Sequence, residues 1–344
     1  MPSKRETLQP PLAPMECRSV ETIPRGDRWQ YEPKWDGFRC VAFRDGAEVY
    51  LQSKSGQPLA RYFPEVVAML RGLDAERFVL DGELYIEIDG VLSFDDLLQR
   101  IHPAESRVKK LAREMPASYV VFDLLADGMG ASLLERPLRE RRAQLEAFAG
   151  RYFGKAQRLR VSPATTDRKV VDVWLARVGN ALDGVIAKAL DEPYRSGERS
   201  GCVKIKHLRT ADCVVGGYRL NKSKNGIGSI LLGLYDDGGR LHHVGFSSGF
   251  REGERKALLE KLKPLVEEPG FTGSAPGGPS RWNPREEPWF PLRPSLVVEV
   301  SFDHITGARF RHGTKVLRWR PDKAPSQCTM EQLEQKEAVH ALEL

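Results

Sequence analysis

Hydrophobic and polar residues alternate from Trp29 to Gly56, and the alternation breaks at Asp45-Gly46, which predicts half-buried strands turned at that dipeptide. Helical spacing takes over from Leu59 to Leu70. Phe78 to Phe94 reads as two strands joined at Asp89-Gly90, and Tyr119 to Leu125 as a short, buried apolar strand. Pro137 suits the first turn of a helix that continues to about Phe148, with Arg139, Glu140, Arg141 and Arg142 solvated. Val170 to Val178 predicts another helix. Gly184 to Ala189 and Cys202 to His207 predict two more strands.

The pattern changes near Leu208. Short strands follow at Cys213 to Leu220, Ser229 to Tyr235 and Leu241 to Phe246, the last two joined by the turn Asp236-Asp237-Gly238-Gly239. Glu252 to Val266 is helical, and Pro269 to Pro294 is a loop rich in proline and glycine. Strands resume at Ser295 to Phe302 and Lys315 to Arg320, and Thr329 with Gln332 suits the cap of a final helix. About five strands with one helix beyond residue 210 fit a small barrel of the oligonucleotide-binding type, and other small barrels fit the same pattern. There is no internal repeat.

Composition adds bounds. A chain of 344 residues, 41% hydrophobic and 29% charged, is an ordinary globular sequence with length for two cores. Its net charge of +6 favours a polyanionic partner without requiring one. The five cysteines are scattered, with no Cys-x-x-Cys pair, which argues against a zinc ribbon and for reduced thiols packed as small hydrophobes in a cytoplasmic setting. No apolar run is long enough to span a bilayer, and Met1 to Pro14 lacks the apolar core of a signal peptide, so it reads as a flexible leader.

The densest chemistry lies at Glu32-Pro33-Lys34-Trp35-Asp36-Gly37-Phe38-Arg39. Lys34 is a candidate nucleophile, and its amine attacks phosphorus only when deprotonated. Gly37 would let backbone approach a ligand, and Arg39 offers a fork of donors to phosphate or sugar. Lys-x-Asp-Gly alone arises by chance in about one chain in ten of this length, given usage of about 6–7% per residue. Its weight therefore comes from the clusters downstream.

Asp81-Gly82-Glu83 is by itself a hairpin turn with solvated acids, or a site for a ribose hydroxyl or a hard cation. Phe122-Asp123 is by itself core, or a ring that stacks on a base. Asp183-Gly184-x-x-x-Lys188 is a turn leading into a strand that ends in lysine. Lys204-Ile205-Lys206 puts two lysines on one face of a strand, solvent-facing or phosphate-facing. Arg318-Trp319-Arg320-Pro321-Asp322-Lys323 is by itself a basic edge strand.

In this order the clusters resemble the motifs of the covalent nucleotidyltransferase superfamily of ATP-dependent DNA ligases and capping enzymes. Motif I corresponds to Lys34-x-Asp36-Gly37-x-Arg39, motif III to Asp81-Gly82-Glu83 and motif IIIa to Phe122-Asp123. Motif IV corresponds to Asp183-Gly184-x-x-x-Lys188, motif V to Lys204-x-Lys206 and motif VI to Arg318-x-Arg320-x-Asp322-Lys323. The likeness spans about residues 20 to 325 and is nearest to the compact bacterial ligases of the ligase C and ligase D group.

The resemblance implies an α+β chain. A flexible leader (1–14) would precede an adenylation, or nucleotidyltransferase, domain with antiparallel sheets flanked by helices (15–208). A C-terminal OB-fold barrel (209–328) and a C-terminal helix (329–344) would follow. It implies sealing of 5′-phosphate/3′-hydroxyl nicks in double-stranded DNA through lysyl-AMP on Lys34, with ATP and a divalent cation, Mg²⁺ or Mn²⁺. Glu32 would read the adenine amino group, Phe122 would stack on adenine and Ile186 would be among the cofactor-binding residues. Arg39 and Glu83 would hold the ribose, with Asp36 beside the nucleophile. Lys188, Lys204 and Lys206 would face the α-phosphate, and Glu83 and Asp183 would serve the metal. Arg318, Arg320, Asp322 and Lys323 would orient the leaving pyrophosphate, with a hinge at Leu208 to Asp212. The implied setting is DNA repair or end joining by a monomer in the bacterial cytosol at the nucleoid. A separate repair polymerase or end-binding protein would be its partner, and no membrane is involved.

One position departs from the family. Where Ser-Arg is usual at motif Ia, this chain has Ser53-Lys54, which keeps a charge for the nucleotide or DNA but loses the bidentate fork. Two alternatives stand beside the main reading: an RNA ligase or GTP-using capping enzyme, and a non-catalytic nucleic-acid-binding module on the same scaffold. The presence together of Lys34, Glu83, Lys204 and Lys206 argues against the second.

Overall fold

The structure is a computed structural model that describes residues 8–154, 156–176, 182–206, 209–277 and 288–333, with backbone alone at Ala176 and Lys206. The described residues fall into two compact units, one of residues up to 206 and the other of residues 209–333.

The first unit opens with β1 (Arg18–Ser19), β2 (Trp29–Lys34), β3 (Phe38–Asp45), β4 (Glu48–Ser53), α1 (Pro64–Arg71) and β5 (Arg77–Tyr85). A hairpin of β6 (Glu87–Ile88) and β7 (Val91–Leu92) leads to α2 (Phe94–Gln99), α3 (Glu105–Glu114) and β8 (Ser118–Ala126). Then come α4 (Leu138–Tyr152), β9 (Leu159–Val161), α5 (Arg168–Ala176), β10 (Gly184–Ala189) and β11 (Cys202–Lys206). The strands form a five-stranded sheet, β4-β3-β5-β8-β9, and a four-stranded sheet, β1-β11-β10-β2. Pairing is antiparallel except at β8–β9 and β1–β11.

Both faces of the larger sheet are buried, and strand alternation sorts the side chains between them. Cys40 and Ala42 join a core with Phe63, Leu70, Leu145 and Phe148, whereas Val41 and Phe43 join Met15 and Tyr194 on the other face. The smaller sheet packs Tyr31, Val185 and Ala187 against Val171 and Trp174 of α5. Helices α2 and α3 were not anticipated from the sequence. Ser93 caps α2, and α3 buries Val108, Leu111 and Ala112 at helical spacing within an otherwise charged segment.

The second unit contains β12 (Arg209–Leu220), β13 (Ile227–Tyr235), β14 (Leu241–Ser247), α6 (Glu252–Leu262), β15 (Phe290–Pro291) and β16 (Val297–Phe302). A hairpin of β17 (Ile305–Thr306) and β18 (Arg309–Phe310) precedes β19 (Lys315–Trp319). The sheet order is β14-β13-β12-β16-β19, with β15 added on β12. Its two edges meet where Thr314 N–H donates to the Phe246 carbonyl at 2.9 Å and Ser247 Oγ to the Thr314 carbonyl at 2.7 Å. That closure makes an OB-fold barrel, with Leu258 and Leu262 of α6 packed into its core.

Several expectations change. Residues 209–212 are not a hinge: each pairs with β16, from Arg209 opposite Phe302 to Asp212 opposite Glu299, so bending there would break the ladder. Leu208 lies outside the described residues. So do 334–344 of the expected final helix, and the described part is only a 3₁₀ turn at Met330–Leu333. The cysteines do not all pack singly. Parallel pairing of Arg18 with Val203 sets Cys17 beside Cys202, and the two form a disulfide, while Cys40, Cys213 and Cys328 are free and buried.

Strand packing requires glycine at Gly37 and Gly82. A Cβ at Gly82 would collide with the Val120 carbonyl and the Tyr119 ring, and one at Gly37 with the Leu84 carbonyl. Gly82→Ala is therefore expected to cost about 3 kcal/mol, read as a lower urea midpoint at unchanged m-value. Parental stability would show that the two strands part freely.

Candidate active site

Both sheets of the first unit line one cleft. Across the smaller sheet, register sets Glu32 of β2, Ile186 of β10 and Lys204 of β11 in a row, and period two keeps Lys34 and Lys188 on the same face. From the larger sheet, Arg39 stands opposite Glu83, and Asp81 opposite Asp123 beside Phe122.

Lys34 ends β2, and its ammonium is ion-paired with Asp183 at the entrance to β10. The backbone fixes the pair, because Asp183 N–H donates to the Lys34 carbonyl at 2.9 Å. Asp183 is buried, while Lys34 keeps 21% of its side chain exposed. The nucleophile candidate is thus reachable from the cleft.

Glu32 is buried, accepts a hydrogen bond from Gln30 Nε2 at 2.8 Å and pairs with Lys188 at 2.8 Å. Lys188 Nζ lies 4.6 Å, and Arg39 Cζ 4.5 Å, from the centroid of the Phe122 ring, within cation–π range. Lys188 thus sits with Glu32 and Phe122 in the cleft.

Arg39 is also more occupied than a free ribose ligand would be. Its guanidinium grips Asp81 with Nε and Nη2, both at 2.6 Å, and Tyr194 Oη donates to the same carboxylate at 2.6 Å. Asp123 is held in the same bidentate way by Arg141, at 2.8 and 2.9 Å. Arg141 was expected to be solvated and is instead 1% exposed. Sequence reading missed it, although the signal existed: α4 buries Leu138, Arg141, Leu145 and Phe148, one helical stripe. Tyr194, in a loop, carried no such signal.

Burial pushes the Glu83 carboxyl up to about 7, with Arg39 and Lys34 pulling against it and Asp36 and Asp81 adding to the rise. Lys54, at the departing motif position, pairs with Glu16 at 3.0 Å, and Glu16 also reaches Arg199 at 3.2 Å. The hydrogen bond from Lys54 is the main cause holding Glu16 below the usual carboxylate range. The Lys206 side chain lies outside the described residues.

In the second unit the motif VI cations are all engaged with acids. Arg318 donates to Glu299 at 2.6 Å, Arg320 to Asp322 at 2.8 Å and to Asp212 at 2.9 Å, and Lys323 to Asp212 at 2.8 Å. Among the described residues no helix is long and apolar enough to cross a membrane.

The family model for the ATP dependent DNA ligase domain matches residues 10–206, and that for the ATP dependent DNA ligase C terminal region matches residues 223–323. The chain belongs to the ATP-dependent DNA ligases. DNA ligase C1 of Mycolicibacterium smegmatis is 47% identical to this ligase over 340 residues, and DNA ligase C of Mycobacterium tuberculosis 47% over 343, each alignment covering 95% of both chains. A structure from a study of Lig E DNA ligases superposes with a TM-score of 0.56 at 17% identity, over 90% of this ligase and 99% of that chain, a likeness of fold.

Glu83 makes the ligase's stability depend on pH. In the unfolded chain its carboxyl ionises near 4.5, and in the folded ligase near 7. Between those values only the folded state keeps the proton, so this group's contribution is full below 4.5, falls as pH rises and is gone above about 7. Glu83→Gln cannot ionise, so its Tm relative to the parent should climb across that window. Parallel Tm curves would show that Glu83 titrates normally.

Proposed function

We propose that this ligase seals 5′-phosphate/3′-hydroxyl nicks in double-stranded DNA through a lysyl-AMP intermediate on Lys34. The observation that carries the reading is the shared cleft, where Lys34, with a carboxylate on its ammonium, stands among Glu32, Glu83, Phe122, Lys188 and Lys204. In the first step the Lys34 amine attacks the α-phosphorus of ATP. A P–N bond forms, the bond to the α,β-bridging oxygen breaks, and pyrophosphate leaves. The ammonium proton passes to Asp183 Oδ2, the oxygen already in contact with it. AMP then moves to the 5′-phosphate of the nick, which restores the amine, and the 3′-hydroxyl displaces AMP to join the strands.

Negative charge spreads over phosphate oxygens at each transfer, so positioned cations supply most of the catalysis. Lys204 and Lys206 face the α-phosphate, and Arg318, Arg320 and Lys323, with Asp322 bracing Arg320, orient the pyrophosphate. Glu32 accepts from the adenine amino group with Lys188 beside it, Phe122 stacks on the base, and Ile186 adds apolar contact. Glu83 takes the ribose, and Arg39 orients that wall through Asp81. Lys54 serves the phosphate side once it leaves Glu16.

The metal-side carboxylates are Glu83 and Asp183. No group of three or more His, Cys, Asp or Glu is gathered among the described residues, and two carboxylates completed by substrate phosphates is the donor set Mg²⁺ or Mn²⁺ accepts. When bound, such a cation supplies Lewis-acid stabilisation of the phosphate charge. The proposed setting is DNA repair or end joining at the nucleoid, by a monomer that works beside a repair polymerase or end-binding protein.

Intact-mass measurement of AMP-free protein with Mg²⁺ should show one AMP gained from ATP, none from GTP, and loss of the adduct on nicked DNA. Lys34→Ala should gain no AMP, and radiolabel from ATP on that variant would overturn the assignment. Lys323→Ala should slow adenylation at least about tenfold while still sealing pre-adenylated nicks. Equal loss of both steps would remove it from the pyrophosphate role.

A further inference from the structure

Two motif VI cations share one acid that lies outside every motif. Asp212 of β12 accepts from Arg320 Nη1 on Oδ1 at 2.9 Å and from Lys323 Nζ on Oδ2 at 2.8 Å. The ladder sets Asp212 opposite Glu299, and Glu299 opposite Arg318. Like charges on facing strands repel, and Arg320 offsets this by lying 3.8 Å from Glu299 as well. The acid is itself clamped. The Gln332 side chain accepts from Asp212 N–H at 2.9 Å and donates to its carbonyl at 3.1 Å. Asp212 is 12% exposed, Arg320 18% and Lys323 25%, so the pairing is partly shielded from water.

Donor supply decides what this acid can do. A guanidinium carries five N–H donors and an ammonium three. Arg320 uses Nε and Nη2 on Asp322 and one donor of Nη1 on Asp212, and Lys323 uses one on Asp212. Both cations retain donors for phosphate oxygens while Asp212 stays in place. The carboxylate therefore sets their spacing instead of competing for them.

We propose that Asp212 is a positioning residue for self-adenylation, presenting Arg320 and Lys323 to the leaving pyrophosphate as one preset pair. The proposal rests on the reading that these cations orient pyrophosphate, and it makes Gln332 the backbone clamp of the device. Two long side chains ordered before the substrate arrives lose little further freedom when it binds.

The test uses the full chain with Asp212→Asn, which keeps the shape but turns an N–H group toward one cation. Single-turnover adenylation with ATP and Mg²⁺ should fall about tenfold, and the pyrophosphate concentration that half-strips AMP from the adenylated enzyme should rise by a similar factor. Sealing of pre-adenylated nicks should stay within about twofold, and Asp212→Glu should recover part of the loss. Unchanged adenylation, faster adenylation, or an equal fall in both steps would each overturn the proposal. Should Asp212→Asn not fold, Gln332→Ala carries the same test, because it loosens Asp212 without touching either cation. Lys323→Ala separates the two levels. If it adenylates normally, the pyrophosphate reading itself fails. If it is impaired while Asp212→Asn is not, only the role of Asp212 falls.

Discussion

An acid inside a protein wall calls for a cation beside it, and the cleft of the first unit is organised by that requirement. Glu32 is met by Lys188, Asp81 by Arg39, Asp123 by Arg141 and Asp183 by Lys34. Buried pairs of this kind add little net stability, because desolvation cancels most of the attraction. Their effect is on geometry. Each pair joins two elements, so the pairs hold β2 to β10, β3 to β5, and β8 to α4 in fixed relation around the cleft.

That matching singles out Glu83. It lies in the same wall but has no ion pair among the described residues, and burial raises its carboxyl to about 7. An acid left in this condition is the one best placed to gain from a ribose hydroxyl or a hard cation. Lys34 is the complementary case. Its partner Asp183 holds the ammonium at the cleft wall, which fixes the position of the side chain proposed as nucleophile.

The barrel repeats the principle at its surface. Arg318, Arg320 and Lys323 stand with Glu299, Asp322 and Asp212, three cations with three acids of which Asp212 is shared, so the cluster is neutral as it stands. In the proposed role on pyrophosphate, directed donors would therefore act more than excess charge. Register explains two of the acids: β12, β16 and β19 are neighbours, and their facing positions carry Asp212, Glu299 and Arg318.

The order and chemical type of the motifs were determined by the sequence alone, because catalysis on phosphate restricts residue type at each position and the spacing between strands is local. Strand patterning likewise made most of β2 to β5, β8, β10 to β14 and β16 legible from residue pattern, whereas β15 lies in a segment that reads as loop. What only tertiary structure decided is which charges meet. Arg141 reads as one of four charged neighbours on a helix, yet its place on the apolar stripe carries it to Asp123. Lys188 reads as the lysine at the end of a strand, and the pairing of β10 with β2 brings it to Glu32. Cys17 meets Cys202, and Asp212 meets Lys323, across separations that no local pattern encodes. An ion pair depends on a few ångströms between side chains remote in the chain, and that distance exists only once the sheets have formed.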